Sequence, residues 1–561
     1  MSKKVIVIGG SAAGPKAAAR ARRLDEFADI TIIQKEPDFS MASCGFPYYI
    51  EGVFDNRNAL IATPTGVVRD SNFFLNAKNI KAKANTEVIK IDKESKQVVC
   101  KNLLDESIDE ITYDKLIIAT GATPKMPPFE GRDLKGITTL HSMKDSDFLK
   151  DNVVQKKVKH AVIVGAGLIG IEACEALRKN GIEVTVIEML PQILPFLDIE
   201  LSKLVENHAA SQGVNFILEK SVSRFKGENG SLIGVELSDG STINCDLAIV
   251  SIGVNPNTII AKQAGIQIGD FGGIITNAYM QTSDPDIYAA GDCVEINHLI
   301  TQKNTLAPMG DLANLEARVA GENVILGNTA VFKGTIQTGI CKIFDMSAGI
   351  SGFSEKYAKR ENIEYVSAMN TSLDKPGFMS GQLLISKILV DKKTNTIIGY
   401  QSVGFGDVSR QIASASIAIM GKLNIDDLAC ADMPYAPPFS LAIDHFIAST
   451  HIVQNKIKGL FVGINVRDVK QKIDNHEDCL IIDVRSSDEF RELKLGIGEK
   501  HIPLGMLRKK LNELPEDKNK EIITYCKISL RGYEASLILK AHGYKNVKVM
   551  EGGIMAWPYK K

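Results

Sequence analysis

The sequence predicts an α/β protein, and three observations carry that reading: two glycine-rich strand–turn–helix units near residues 9 and 165, apolar strands ending in small-residue turns, and a strand–loop–helix pattern that restarts beyond residue 463. The first two imply a pair of Rossmann-like three-layer domains, parallel strands covered by helices on both faces. The third implies a separate small α/β domain at the C-terminus. Of the 561 residues, 44% are hydrophobic and 24% charged, the balance of a folded globular chain. At roughly 150 residues per domain the length predicts three to four domains.

Lys and Arg total 66 against 67 Asp and Glu, a net charge of -1. No global field recruits nucleic acid or an anionic membrane, so an anionic ligand has to be met locally. No apolar run reaches the roughly eighteen residues of a membrane helix. The apolar stretch after Lys3 and Lys4 stops at Gly9, too early for a signal peptide, and a cytoplasmic protein is expected. Nine cysteines stand singly between Cys44 and Cys526 with no C-x-x-C pair. Neither a disulfide framework nor a metal site is expected.

Lys4 to Ile8 reads as a strand, Gly9-Gly10-Ser11-Ala12-Ala13-Gly14 as a turn, the alanine-rich stretch through Arg23 as a helix, and Ile30 to Ile33 as the next strand. Such a unit turns backbone N–H groups and a helix N-terminus toward a diphosphate. Ser11 stands at the second glycine position and Gln34, not an acid, closes the second strand, so a plain βαβ turn is the alternative. The same unit recurs in sharper form: His160 to Val164, then Gly165-Ala166-Gly167-Leu168-Ile169-Gly170, a helix to Lys179, and Val184 to Ile187 followed by Glu188. Glu188 lies 23 residues beyond Gly165, where a carboxylate accepts from a ribose 2′-hydroxyl. It would repel a 2′-phosphate by ~1 kcal/mol in water and ~4 kcal/mol at an effective dielectric of about 20. NADH is therefore expected over NADPH. Two further strands end in small turns, Tyr113 to Gly121 and Ile287 to Asp292. Asp292 either binds a ribityl hydroxyl or caps the following helix.

These four segments, in this order over about Lys4 to Ile457, resemble the FAD- and NAD(P)H-dependent pyridine nucleotide-disulfide oxidoreductases. The resemblance implies FAD against Gly9, Ser11, Ala12, Ala13, Gln34, Lys35, Cys44, Val88, Ala119, Thr120, Gly121, Gly291, Asp292 and Tyr435. It implies NAD(H) against Gly165, Gly167, Leu168, Ile169, Gly170, Glu188 and Gly253. The domains it implies are an FAD-binding domain at 1-149 and 256-330, an NAD-binding domain at 150-255 and an α+β dimerisation domain at 331-455. A homodimer follows from the last.

Cys44 lies in Ser40-Met41-Ala42-Ser43-Cys44-Gly45-Phe46-Pro47-Tyr48-Tyr49, just before an expected helix. A helix N-terminus and a neighbouring flavin lower a thiol pKa and make it nucleophilic; the alternative is a buried structural cysteine. No cysteine follows until Cys100, so Cys44 cannot store two electrons in an internal disulfide. It can form a mixed disulfide, a persulfide or a sulfenic acid. The S-x-x-x-C-G-x-P-Y-Y pattern resembles CoA-disulfide reductases and NADH-dependent persulfide reductases. NADH peroxidases of this type carry a histidine where Ala12 stands here. Coenzyme A is implied as a substrate or bound cofactor, contacted by Lys16, Arg20, Arg23, Ser40, Ser43 and Lys78, with Ser43 in place of the usual asparagine. Lys16, Arg20 and Arg23 recur at near-helical spacing, as a phosphate-binding stripe or as a solvated basic face. Pro434 to Ser440 matches a Y-A-P-P-Y-S motif whose first tyrosine reaches the partner subunit's active site, which makes Tyr435 a candidate acid. A second tyrosine of that group, in Y-Y-P-G, aligns with Asp374-Lys375-Pro376-Gly377.

Beyond Gly463, Leu480 to Arg485 is a strand, Ser487 to Phe490 a helix start, and Ile522 to Tyr525 a strand running into Cys526-Lys527-Ile528-Ser529-Leu530-Arg531 and a helix. A cysteine at a strand end, in a loop closing on a helix N-terminus, is placed where amides stabilise a thiolate or persulfide. The D-V-R and C-x-x-x-x-R patterns resemble a rhodanese domain over about 463-561. Cys526 is then the sulfur carrier and Arg531 its loop cation; Ser529 replaces the usual glycine. Together the segments imply an FAD-dependent NADH:CoA-persulfide or polysulfide reductase that releases sulfide, also acts on CoA disulfide, and is coupled to a rhodanese sulfur carrier and a sulfur-donor protein. The alternatives are a CoA-disulfide reductase or NADH oxidase, and a CoA-binding redox sensor that scarcely turns over.

Overall fold

The computed structural model describes residues 2–560, in two compact units: residues 1–189 with 220–335, and residues 190–219 with 336–561.

In the first unit a parallel sheet runs in the order Ile287–Ala289, Lys115–Ile118, Lys4–Ile8, Asp29–Ile33, Lys81–Lys83. Its central strand, KVIVI, is apolar on both faces because both are covered, and Val5 and Val7 are fully buried. The helix Ala13–Leu24 follows. Ala17, Ala18 and Ala21 are buried, and a Cβ on Gly321 of the helix Gly310–Leu326 would come within 2.3 Å of the Ala17 carbonyl. The small residues are what let these two helices close. A second set of parallel strands orders Glu183–Ile187, His160–Val164, Leu247–Val250 and Ile137–Thr138. The expected pair of Rossmann-like layers is present. Two three-stranded antiparallel sheets accompany them, Thr86–Asp92 with Gln97–Asn102 and Ile108–Thr112, and Val222–Glu228 with Ser231–Leu237 and Thr242–Asn244.

The second unit holds an antiparallel sheet in the order Gly339–Ile343, Met346–Gly352, Ile397–Gly404, Leu383–Asp391, Tyr365–Leu373, with the helices Val408–Met420 and His445–Ile457. This is the expected α+β domain. The C-terminal sheet is wholly parallel: Gly463–Ile464, Val547–Met550, Glu521–Tyr525, Cys479–Asp483, Lys500–His501. Buried charge joins these parts. Lys387, 1% exposed, lies 3.0 Å from Asp198, 2.5 Å from Glu200 and 3.0 Å from Glu355, and Asn465 donates to Glu200 at 2.8 Å. The three carboxylates are close enough to ligate a cation; the Lys387 ammonium takes that place, and they hold it charged. Among the described residues no helix is long and apolar enough to cross a membrane.

Candidate active site

The second glycine turn shows three separate reasons for glycine. Gly165 has φ +103°, a Cβ on Gly170 would lie 2.1 Å from the Gly165 carbonyl, and a Cβ on Gly167 would meet nothing within 4 Å. The first makes the turn, the second lets the helix Leu168–Lys179 close on the strand, and the third leaves the approach open to a diphosphate. The first turn repeats two of these. Gly9 has φ +109° and would clash with the Ala119 carbonyl at 2.0 Å, and Gly14 would meet the Gly9 carbonyl at 1.8 Å. The Gly9 turn and the Ala119-Thr120-Gly121 turn thus lie back to back, beside Ser11, Ala12 and Ala13 at the helix start. In both units the residue closing the second strand takes an N–H from the loop: Gln34 from Gly10 at 2.8 Å and Glu188 from Ala166 at 2.9 Å. Both cradles fit dinucleotides.

The other expected contacts are placed as follows. Gly121 and Gly253 have positive φ, +65° and +98°, with open space where a Cβ would stand. Lys35 is exposed and paired with Glu87 at 2.8 Å, one residue before the buried Val88. The Gly291 N–H donates to Glu316 at 2.7 Å. Burial pushes the Asp292 carboxyl up, opposed by His141. Glu316 is 2% exposed, and burial, then Asp292 and Asp311, push its carboxyl up to about 8.

Cys44 is exposed, in the turn Ser43–Gly45 that leads into the helix Phe46–Glu51. Its four companions in the same unit, Cys100, Cys174, Cys245 and Cys293, are buried. A Cβ on Gly310, the first residue of Gly310–Leu326, would stand 3.9 Å from Cys44 Sγ. The helix after Cys44 packs on Leu168–Lys179, and Lys179 bridges to Glu51 at 2.7 Å. The protein's own groups do not supply the expected lowering of the Cys44 pKa. Although the residue is exposed, protein around the sulfur strips enough water to push the thiol up, and the Glu172, Asp292 and Asp311 carboxylates push further. The Cys44 backbone N–H lowers it by less. A resting thiolate therefore needs a favourable group beyond these.

Of the residues expected at coenzyme A, Lys16 is half-buried, while Arg23, Ser43 and Lys78 are exposed. Arg20 is not free: its guanidinium is ion-paired with Glu322. Ser40 has φ +54° and donates its N–H to Gly10 at 2.8 Å. Arg57 grips the segment before it through Asp38, at 2.8 Å. Arg22, which the sequence reading passed over, is buried and donates to the carbonyls of Ala28, Lys78 and Asn79. It ties the end of helix Ser71–Lys78 to the basic helix.

In the second unit Tyr435 is 54% exposed, and Phe439 and Ile443 near it are exposed too. Arg410 steadies this stretch, donating to the Phe439 carbonyl at 2.7 Å and to Asp444 at 2.8 Å. Asp374, at the position aligned with a tyrosine pair, is buried and accepts the N–H groups of Gln382 and Asp407 at 2.7 and 3.2 Å. It is a backbone cap, not a replacement acid.

Cys526 ends the strand Glu521–Tyr525 and is fully buried. Ser529 takes φ +91° just before helix Leu530–Ala541, so the loop keeps a glycine-type conformation despite the serine. Arg531 is forked onto Glu489 by two bonds of 2.7 Å. Glu489, and after it the Cys526 side chain, hold the guanidinium charged, and Arg531 brings Glu489 down to about 2. Behind the loop, a Cβ on Gly553 would lie 2.5 Å from the Cys526 carbonyl and one on Gly552 2.8 Å from Met369 Sδ. Glu551 takes the Met369 N–H at 2.9 Å and the Lys456 ammonium at 2.5 Å.

Residues 3–309 match the pyridine nucleotide-disulphide oxidoreductases, 338–446 their dimerisation domain, and 465–559 the rhodanese-like domain. An NADH oxidase of Methanocaldococcus jannaschii is 33% identical over 78% of this chain and 96% of its own. The NAD(P)H coenzyme A polysulfide/persulfide reductase of Pyrococcus horikoshii is 32% identical over 81% of this chain and 99% of its own. The solved NAD-dependent persulfide reductase from A. fulgidus superposes with a TM-score of 0.94 at 40% identity, covering 99% of this chain and 100% of that one.

Proposed function

This chain belongs to the pyridine nucleotide-disulphide oxidoreductases, and from that premise we propose that it is an FAD-dependent reductase carrying electrons from NADH to the sulfane sulfur of CoA persulfide or polysulfide. The observation that carries the reading is the pair of separated sulfurs. Cys44 is the exposed cysteine of its unit, and Cys526 heads a loop in a rhodanese-like domain. A sulfur-carrier domain on the same chain has no use if the acceptor is oxygen or CoA disulfide alone.

In this reading the domains are 1-149 with 256-330 for FAD, 150-255 for NAD(H), 331-455 for dimerisation and 463-561 for sulfur transfer. FAD, when bound, supplies two-electron transfer between NADH and sulfur. Gly9 to Ala13 and Asp292 would hold it, while Gly165 to Gly170 and Glu188 would hold NADH. The Cys44 thiolate attacks the inner sulfur of CoA persulfide: a Cys44–CoA disulfide forms, the persulfide S–S bond breaks and hydrosulfide leaves. Two electrons and a proton then return Cys44 to the thiolate and release CoA as its thiol. The net reaction consumes one NADH, one proton and one persulfide, and yields NAD+, CoA and hydrogen sulfide. CoA disulfide is cleaved at the same cysteine. The match to a dimerisation domain and the exposed Tyr435, Phe439 and Ile443 support a homodimer. Tyr435 of one copy then serves Cys44 of the other as hydrogen-bond donor, and Cys526 passes or accepts the sulfane sulfur.

The test is anaerobic NADH oxidation with CoA persulfide, sulfide release being measured alongside. The wild type turns over and Cys44→Ser loses activity by at least two orders of magnitude; a variant near the wild-type rate overturns the assignment. A second reading, NADH oxidase, draws on the name of the Methanocaldococcus relative. Rapid NADH consumption in air with no sulfur compound would favour it.

A further inference from the structure

On the helix Ala13–Leu24 the residues Lys16, Arg20 and Arg23 stand at i, i+4 and i+7 and share a face. Among the described residues Arg20 has the carboxylate partner. Its Nε donates to Glu322 Oε2 at 3.1 Å, and Nη2 reaches the same oxygen. The two side chains are 18% and 21% exposed, so water and salt screen the pair less than a surface bridge. The close contact of Gly321 with the Ala17 carbonyl fixes the two backbones against each other. Glu322 can therefore leave Arg20 by rotating its own side chain, not by a shift of the helix. Arg318, exposed and one turn earlier on the same helix, offers the departing carboxylate a new partner at i−4.

We propose that Glu322 competes with a phosphate group of coenzyme A for Arg20, so that this ion pair holds down the affinity for phosphorylated thiols and leaves unphosphorylated ones unaffected. The proposal rests on the reading that CoA lies along this helix. A phosphate brings more charge than a single carboxylate and can take the two guanidinium N–H groups on separate oxygens, where Glu322 uses one, so it can displace Glu322 from the guanidinium. A neutral thiol has nothing to offer Arg20 and leaves the pair shut. The cost of opening therefore falls on the phosphate-bearing ligand alone: Arg20 supplies the preference for phosphate, and Glu322 tempers it.

The experiment titrates the full-length, FAD-loaded protein with CoA and with pantetheine under reducing, anaerobic conditions, in the wild type, Glu322→Gln, Glu322→Ala and Arg20→Met. Removing the competing charge tightens CoA about two- to fivefold, the size expected of such a pair, and leaves pantetheine unchanged. Arg20→Met weakens CoA. If Arg20→Met weakens CoA while both Glu322 variants leave it unchanged or weaken it, Glu322 orients Arg20 and the competition is disproved. Equal tightening of pantetheine disproves it too. If Arg20→Met leaves CoA affinity untouched, the underlying placement of CoA is wrong and the proposal falls with it.

Discussion

Glu188 accepts the N–H of Ala166 at 2.9 Å, which fixes a buried carboxylate against the nucleotide loop. Gln34 does the same for Gly10 at 2.8 Å, but without charge. The difference is a prediction about nucleotide choice. The wild type prefers NADH, and Glu188→Ala narrows the NADH to NADPH ratio of kcat/KM by about fivefold or more, since a charge near a 2′-phosphate is worth ~1 to ~4 kcal/mol. A wild type that prefers NADPH contradicts the argument.

Ser529 occupies φ +91°, ψ −33°, where a side chain is strained. Such residues cost about 1–3 kcal/mol, and glycine returns about 0.5–1 kcal/mol of that in chain entropy. Ser529→Gly is therefore expected to stabilise the C-terminal domain by about 1 kcal/mol, read as a higher denaturant midpoint of its transition. A lower midpoint would mean that the 3.3 Å bond from Ser529 Oγ to the Met550 carbonyl outweighs the strain.

Glu316 carries a carboxyl raised to about 8, chiefly by burial. Between the ordinary carboxylate range and pH 8 the folded state holds a proton that the unfolded chain releases. Its contribution is complete below about pH 4.5 and is lost as pH rises through 8, by at most about 1.4 kcal/mol per pH unit. Glu316→Gln keeps an acceptor for the Gly291 N–H and removes the titration. Denaturation at pH 6 and pH 8.5 should show the wild type losing more stability than the variant over that interval. Parallel losses in the two proteins would place the pH dependence elsewhere.

Cys526→Ala should leave NADH oxidation with small CoA substrates within about twofold of the wild type and abolish turnover that depends on thiosulfate or a protein persulfide. Assays with each donor separate the two. Full thiosulfate-dependent turnover in the variant would uncouple the C-terminal domain from the reductase.

What was legible in the sequence was local. Gly165, Gly167 and Gly170 announce themselves because each answers a backbone demand within six residues, and the strand-end Cys526 likewise. The surroundings of Cys44 were not legible, since Glu172, Asp292 and Asp311 reach it from segments more than a hundred residues away. Burial, and after it three charges from other parts of the chain, outweigh the helix start, which was only half of an expectation that also counted a flavin. The ion pair of Arg20 was not legible for the same reason, its partner being 302 residues distant. Glu316 did leave a trace: it shares the helical spacing of the buried Leu312, Ala313, Ala317 and Ala320, where a carboxylate is out of place. Arg22 left none beyond its position beside the alanine face.

The packing behind Cys526 has a mechanical consequence. Gly553 touches the carbonyl side of the loop, Gly552 rests on Met369, and Glu551 is fastened to the same strand. With no spare volume on that side, loading sulfur onto Cys526 cannot be accommodated by the loop sinking back. In the proposed role Cys526 is therefore a stiff seat rather than a moving arm, and the reach needed to exchange sulfur belongs to the molecule that visits it.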